Sequence, residues 1–111
     1  METLHILWTT DNRDTFFTML STYALNSKKR NWWDHINVII WGASARLAAN
    51  DTQVQTEVLE MMNSGIRVEA CRHYAEELGV TAQLEKLGVE VRFMGVPLTT
   101  YLKSGEKMLT I

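Results

Sequence analysis

One cysteine, three histidines and a few polar residues flanking apolar runs are the groups in this sequence with chemistry to offer. Cys71 ends the run Ile66-Arg67-Val68-Glu69-Ala70, and a helical pattern begins directly after it. A thiol at a helix start meets free backbone N–H groups and the positive end of the helix dipole, both of which favour the thiolate. Arg72 and His73 place further positive charge beside it in the chain. Such a sulfur can act as a nucleophile and hold a second sulfur atom as a persulfide. The opposing reading is equally physical: a free cysteine often packs as a small hydrophobe. Asp11 and Asn12 follow the first apolar run, and Gly42 and Ser44 follow the second. With His73 and Gly95 they are the candidate substrate-binding positions around Cys71. Helix capping accounts for Asp11, Asn12 and Ser44 without any function.

Other chemistries lack their residues. The chain has no G-x-x-x-x-G-K-[ST] phosphate loop, no G-x-G-x-x-G fingerprint and no G-x-S-x-G elbow. His5, His35 and His73 are scattered, and Cys71 with His73 is too small a set for a metal, so no metal and no cofactor are expected. His5 and His35 fall in or at the start of strands, where packing or hydrogen bonding is the default role. Trp32 and Trp33 suit either an interface or the closure of the core, and Met61-Met62 reads as core packing.

These residues need a frame. Leu4–Thr9, Ile36–Trp41, Ile66–Cys71, Val89–Phe93 and Met108–Ile111 read as five strands. The second is almost continuously apolar, as a strand buried on both faces is. The third alternates apolar with charged residues, which predicts one less buried face. The fourth alternates like a sheet edge. Phe16, Leu20, Tyr23 and Ala24 share one face of a helix that Asp11 or Asp14 would cap and that Lys28-Lys29-Arg30 close. Ser44 is expected to cap a helix around Ala45–Ala49. Thr52 and Gln55 fit a capping box for a helix bearing Val54, Val58, Met61 and Met62. Gly65, Gly79 and Gly88 mark helix stops, Thr81 fits a cap, and Pro97 fits the first turn of a last helix. Strands alternating with helices predict an α/β fold: a mainly parallel sheet with helices on both faces. Ligands then bind beyond the carboxyl ends of the strands.

Composition agrees with one domain over residues 1–111. Hydrophobic residues make up 46% and charged residues 22%, and the net charge is −2, which gives no electrostatic footprint for nucleic acid. No apolar stretch is long enough to span a bilayer, and the first residues do not read as a signal peptide. A lone thiol forms no intrachain disulfide, so a reducing, cytoplasmic setting is expected.

The segments LHILWTTDN (Leu4–Asn12), VIIWGASA (Val38–Ala45), TQVQTEVLEM (Thr52–Met61), VEAC (Val68–Cys71) and LGVEVRFMGVPLTTYLKSGEKMLTI (Leu87–Ile111) give the chain, along its whole length, a resemblance to the DsrE/DsrF-like family of small sulfur-relay proteins. That resemblance implies a three-layer α/β/α fold with a five-stranded, largely parallel sheet. It implies homo-oligomers, trimers or hexamers, with sulfur donor and acceptor proteins as partners. It implies persulfide transport on the cysteine after the third strand, here Cys71. Many family members carry a second cysteine three residues later; Tyr74 stands there instead, so a two-thiol relay within this site is excluded. The family also holds subunits without sulfur-carrying activity, which leaves a binding or assembly subunit of the same fold as the alternative.

Overall fold

The computed structural model describes all residues, Met1–Ile111. Five strands form one sheet: β1 (Thr3–Trp8), β2 (His35–Ile40), β3 (Arg67–Cys71), β4 (Glu90–Arg92) and β5 (Lys107–Thr110). Their spatial order is β4-β3-β2-β1-β5, and every neighbouring pair is parallel. The sheet is thus wholly parallel, where the sequence predicted a mainly parallel one.

Between β1 and β2 lie α1 (Arg13–Thr15), a π-helical segment (Phe16–Ser21) and α2 (Thr22–Lys29). Helices α3 (Ser44–Asn50) and α4 (Thr52–Asn63) join β2 to β3, and α5 (Arg72–Glu77) and α6 (Thr81–Leu87) join β3 to β4. The chain steps in one direction from β1 to β4, so right-handed crossovers place all these helices on one face. The last connection reverses direction, from one edge of the sheet to the other. The same handedness puts its helix, α7 (Gly95–Lys103), on the opposite face. The three layers are therefore unequal.

The main core lies under the thick layer. It joins Leu4, Ile6, Trp8, Ile36, Val38, Ile40, Val68 and Ala70 of the strands to Phe16, Leu20, Ala24, Val54, Val58, Met61 and Leu84 of the helices. The expected helical face of Phe16, Leu20 and Ala24 is buried, and Tyr23 packs at its margin. The other sheet face carries a small apolar cluster of Ile39, Cys71 and Met94, edged by Leu7, Trp41, Tyr101 and Met108.

Helix starts depart from the sequence reading. Asn12, rather than Asp11 or Asp14, caps α1 by accepting from the Thr15 N–H at 2.8 Å. Asp51 rather than Thr52 caps α4, with Oδ1 accepting from the N–H groups of Gln53 and Val54. A carboxylate has two oxygens to share: Oδ2 accepts from Arg13 Nε at 2.8 Å, so the same side chain also ties the start of α1 to α4. Ser44 is the first residue of α3 and caps nothing. Its buried hydroxyl accepts from the Trp41 N–H and donates to the Trp8 carbonyl, clasping the carboxyl ends of β1 and β2. Thr81 likewise stands inside α6, whose cap position is Val80, and its hydroxyl has no partner.

Candidate functional site

Cys71 ends β3 and stands at the cap position of α5. Its side chain points to the thinly covered face, against Ile39 and Met94, and the residue is 4% exposed. No backbone N–H of α5 bonds the sulfur. The charges that the sequence placed beside it point elsewhere. Arg72 donates to the Val91 carbonyl and pairs with Glu76 and Glu85. His73 is exposed and pairs with Glu77 along α5. The cation nearest in strand register is Arg92, which stands opposite Cys71 on β4.

The remaining candidates do not converge on the thiol. Gly42 takes a left-handed φ of 73° at the end of β2, a conformation that suits glycine. Ser44 is occupied by its strand-end clasp. Gly95 opens α7 next to Met94, the residue that packs on Cys71. Asp11 lies apart, on an open polar groove of about 600 Å³ shared with Arg46 and Asp51. Asn12 is spent on its cap. Cys71, Trp41, Met94 and Gly95 thus gather at the carboxyl end of the thin face, and Asp11, Asn12 and His73 stand away from it.

Sequence reading missed the densest polar chemistry, which lies under α7 on the same face. Glu69 is fully buried, although its strand alternates as a half-solvated one would. Its carboxylate accepts from Asn37 Nδ2 and the Tyr101 hydroxyl, each at 2.8 Å, and from Arg92 Nε at 2.7 Å. Arg67 adds an ion pair at 3.0 Å. Burial alone pushes the Glu69 carboxyl up, but the bonds from Asn37, Tyr101 and Arg92 and the charge of Arg67 outweigh it and hold it below the ordinary range. Burial and the neighbouring carboxylate push the Tyr101 phenol up, so it stays a donor.

The chain of contacts continues across the sheet. The second N–H of Asn37 Nδ2 faces His5 Nδ1 at 3.1 Å. Because Asn37 must present its amino group to the Glu69 carboxylate, His5 Nδ1 is the acceptor there. The ring proton then sits on Nε2, facing Glu106 Oε1 at 3.2 Å. Tyr101 stacks on the His5 ring with centroids 4.0 Å apart. Asn37 Oδ1 is left buried without a partner. The signal for this network was a carboxylate, an amide and a histidine inside three apolar strands. Their alignment follows from strand register, which pairs His5 with Asn37 and Ile39 with Glu69.

Comparison with known proteins follows this geometry closely in one case and in outline in two. The chain is 63% identical to BT1422, a conserved protein of unknown function from Bacteroides thetaiotaomicron, with a TM-score of 0.97 over 99% of this chain and 95% of that one. The ychN protein of E. coli superposes with a TM-score of 0.72 at 16% identity, each chain covered in full. MTH1491 of Methanobacterium thermoautotrophicum, also of unknown function, gives 0.76 at 17% identity over 99% of this chain and 98% of that one. At such identities the last two share the fold. No family model matches the chain, and no curated protein matches it significantly.

Proposed function

We propose, on the premise that the chain belongs to one family with BT1422 of Bacteroides thetaiotaomicron, that it is a DsrE/DsrF-like subunit carrying sulfane sulfur as a persulfide on Cys71. The observation that carries this reading is the place of the lone thiol, at the carboxyl end of a parallel strand and the start of a helix. That edge is where open α/β sheets do their chemistry. The whole-chain sequence resemblance supports the same assignment.

The transfer balances with one cysteine. The Cys71 thiolate attacks the outer sulfur of a donor persulfide, the donor's sulfur–sulfur bond breaks, and the donor leaves as a thiolate. Cys71 now holds the sulfur and its proton. An acceptor thiolate attacks that outer sulfur in turn and releases the Cys71 thiolate. Met94 packs with the buried Cys71, so the reading requires the segment Phe93–Gly95 to yield when a donor docks. The thin face and the exposed Phe93, Val96 and Leu102 around that segment support a homo-oligomer, which the sequence resemblance would make a trimer or hexamer.

Loading the purified protein with a persulfide donor and recording its intact mass tests the reading. The expected result is one added sulfur on the wild type, released by thiol, and none on Cys71→Ser. No addition, or equal addition to both, overturns it. The burial of Cys71 among apolar side chains favours one alternative, a binding or assembly subunit in which the thiol only packs. That alternative expects Cys71 to resist alkylation in the folded protein until denaturant is added.

A further inference from the structure

Helix α7 is the one helix on the thin face, yet none of its nine residues is buried. Its inward side consists of the half-buried Pro97, Leu98 and Tyr101. A cavity of about 310 Å³, lined by Tyr101 of the helix and by His5, Asn37 and Arg67 of the sheet, leaves that side incompletely packed. The closed arrangement also keeps Asn37 Oδ1 buried without a donor, a cost that entry of water would relieve. Elements held by few buried apolar contacts are the ones that open locally while the rest of a fold stays shut.

What fastens α7 is polar and concentrated in one residue. The Tyr101 hydroxyl donates to Glu69 at 2.8 Å and accepts from Arg92 Nη2 at 3.0 Å, and the ring stacks on His5. No other side chain of α7 hydrogen-bonds to the sheet. At the other end of the helix, the Met94 carbonyl accepts from the Leu98 N–H at 2.8 Å, which ties Met94 to the first turn. Met94 is fully buried with Cys71 and Ile39, so the cover over the thiol moves with α7. Both ends of the unit are free to turn. Phe93, between β4 and Met94, is exposed and belongs to no element. Gly105, just past the helix, holds a left-handed φ of 72° in open space.

We infer that α7 is a lid over Cys71, hinged at Phe93 and Gly105 and latched by the Tyr101 hydroxyl on Glu69 and Arg92. The thiol is reached by lifting this one helix while the thick layer stays closed. The inference deepens the persulfide reading by giving it a route to Cys71. The two fail separately, because access of a reagent to the thiol and loading of sulfur are different measurements.

The test is the rate at which iodoacetamide alkylates Cys71 in the folded protein, followed by mass spectrometry at low urea concentrations, beside hydrogen exchange of the α7 amides. Lifting one helix exposes little surface, so the wild-type rate is expected to change little with urea below the unfolding transition. A rate limited by global unfolding climbs steeply instead. Tyr101→Phe keeps the ring and removes a hydroxyl bonded to two charged groups. Alkylation and α7 exchange are expected to quicken at least about tenfold in it. Asp51→Ala weakens the thick layer and is expected to leave both rates unchanged while exchange in β1 to β3 quickens. Should Tyr101→Phe fail to fold, the urea dependence and Asp51→Ala decide. A wild-type Cys71 that reacts only as the whole protein unfolds overturns the inference. So does Tyr101→Phe at the wild-type rate, or Asp51→Ala as fast as Tyr101→Phe. A thiol that opens in this way but takes up no sulfur overturns the persulfide reading and upholds the lid.

Discussion

Glu69 is a charged side chain with no exposed surface, and it survives because five groups attend to it: Asn37, Tyr101, Arg92, Arg67 and, through Asn37, His5. Removing one partner of such a set costs about 3–5 kcal/mol because the rest are left uncompensated. Glu69→Gln is therefore expected to lose about 3 kcal/mol at neutral pH, read from urea unfolding. The pH dependence has a definite sign. A carboxyl held below its ordinary value contributes stability in full above about pH 4.5 and loses it as pH falls through the lower folded value. Wild type should thus lose stability in acid more steeply than Glu69→Gln; matching acid slopes would remove Glu69 as the source. At the other end of the face, Met94→Ala uncovers Cys71 and should speed its alkylation several-fold while the fold is retained. An unchanged rate would show that Met94 does not gate the thiol. Cys71 was legible from sequence because a thiol at a strand-to-helix junction is a local pattern. Glu69 was not, because its partners come from residues up to 32 positions away.

Elements were legible where a single period dominates. The apolar run before Trp41 is a central, doubly buried strand, and Glu90–Arg92 is an edge strand, as their patterns predicted. Helix starts were harder, since several adjacent polar residues can each cap and only the incoming chain direction chooses among them. Asp51 was chosen over Thr52, and its carboxyl is held below the ordinary range first by Arg13 and then by the N–H groups of Val54 and Gln53. Asp51→Ala should lower the melting temperature by roughly a few degrees, while Thr52→Ala leaves it nearly unchanged. Equal effects would return the cap to Thr52. Ser44 illustrates the same limit at a strand end. Its hydroxyl bonds Trp8 and Trp41, residues that are neighbours only once β1 and β2 have paired. Ser44→Ala removes this bond while the Trp8 carbonyl keeps the Trp41 N–H, and should cost about 0.5–1.5 kcal/mol, measurable in denaturant unfolding.

At the scale of the molecule the asymmetry of the layers dominates. Alternating strands and helices disclosed the α/β class, but the sequence reading put helices on both faces without saying how unevenly. Only the strand order, with its single reversal at α7, decides that. One nine-residue helix leaves Phe93, Val96 and Leu102 in solvent beside a partly covered sheet. Light scattering after gel filtration is expected to give a multiple of the chain mass, and Val96→Glu is expected to reduce it. A monomeric wild type would dismiss the homo-oligomer. The same reversal also sets an order of events in time. Thr9 and Ile111, 102 positions apart, are joined by hydrogen bonds where β5 lies along β1. Contacts so distant in sequence form slowly, since a long loop must close before they repay its lost entropy. During synthesis the thick helical layer can assemble on β1 to β4 before α7 and β5 exist. The face exposed in that interval carries His5, Asn37, Arg67, Glu69 and Arg92, so a growing chain shows water a hydrated stripe where a bare apolar sheet would invite aggregation.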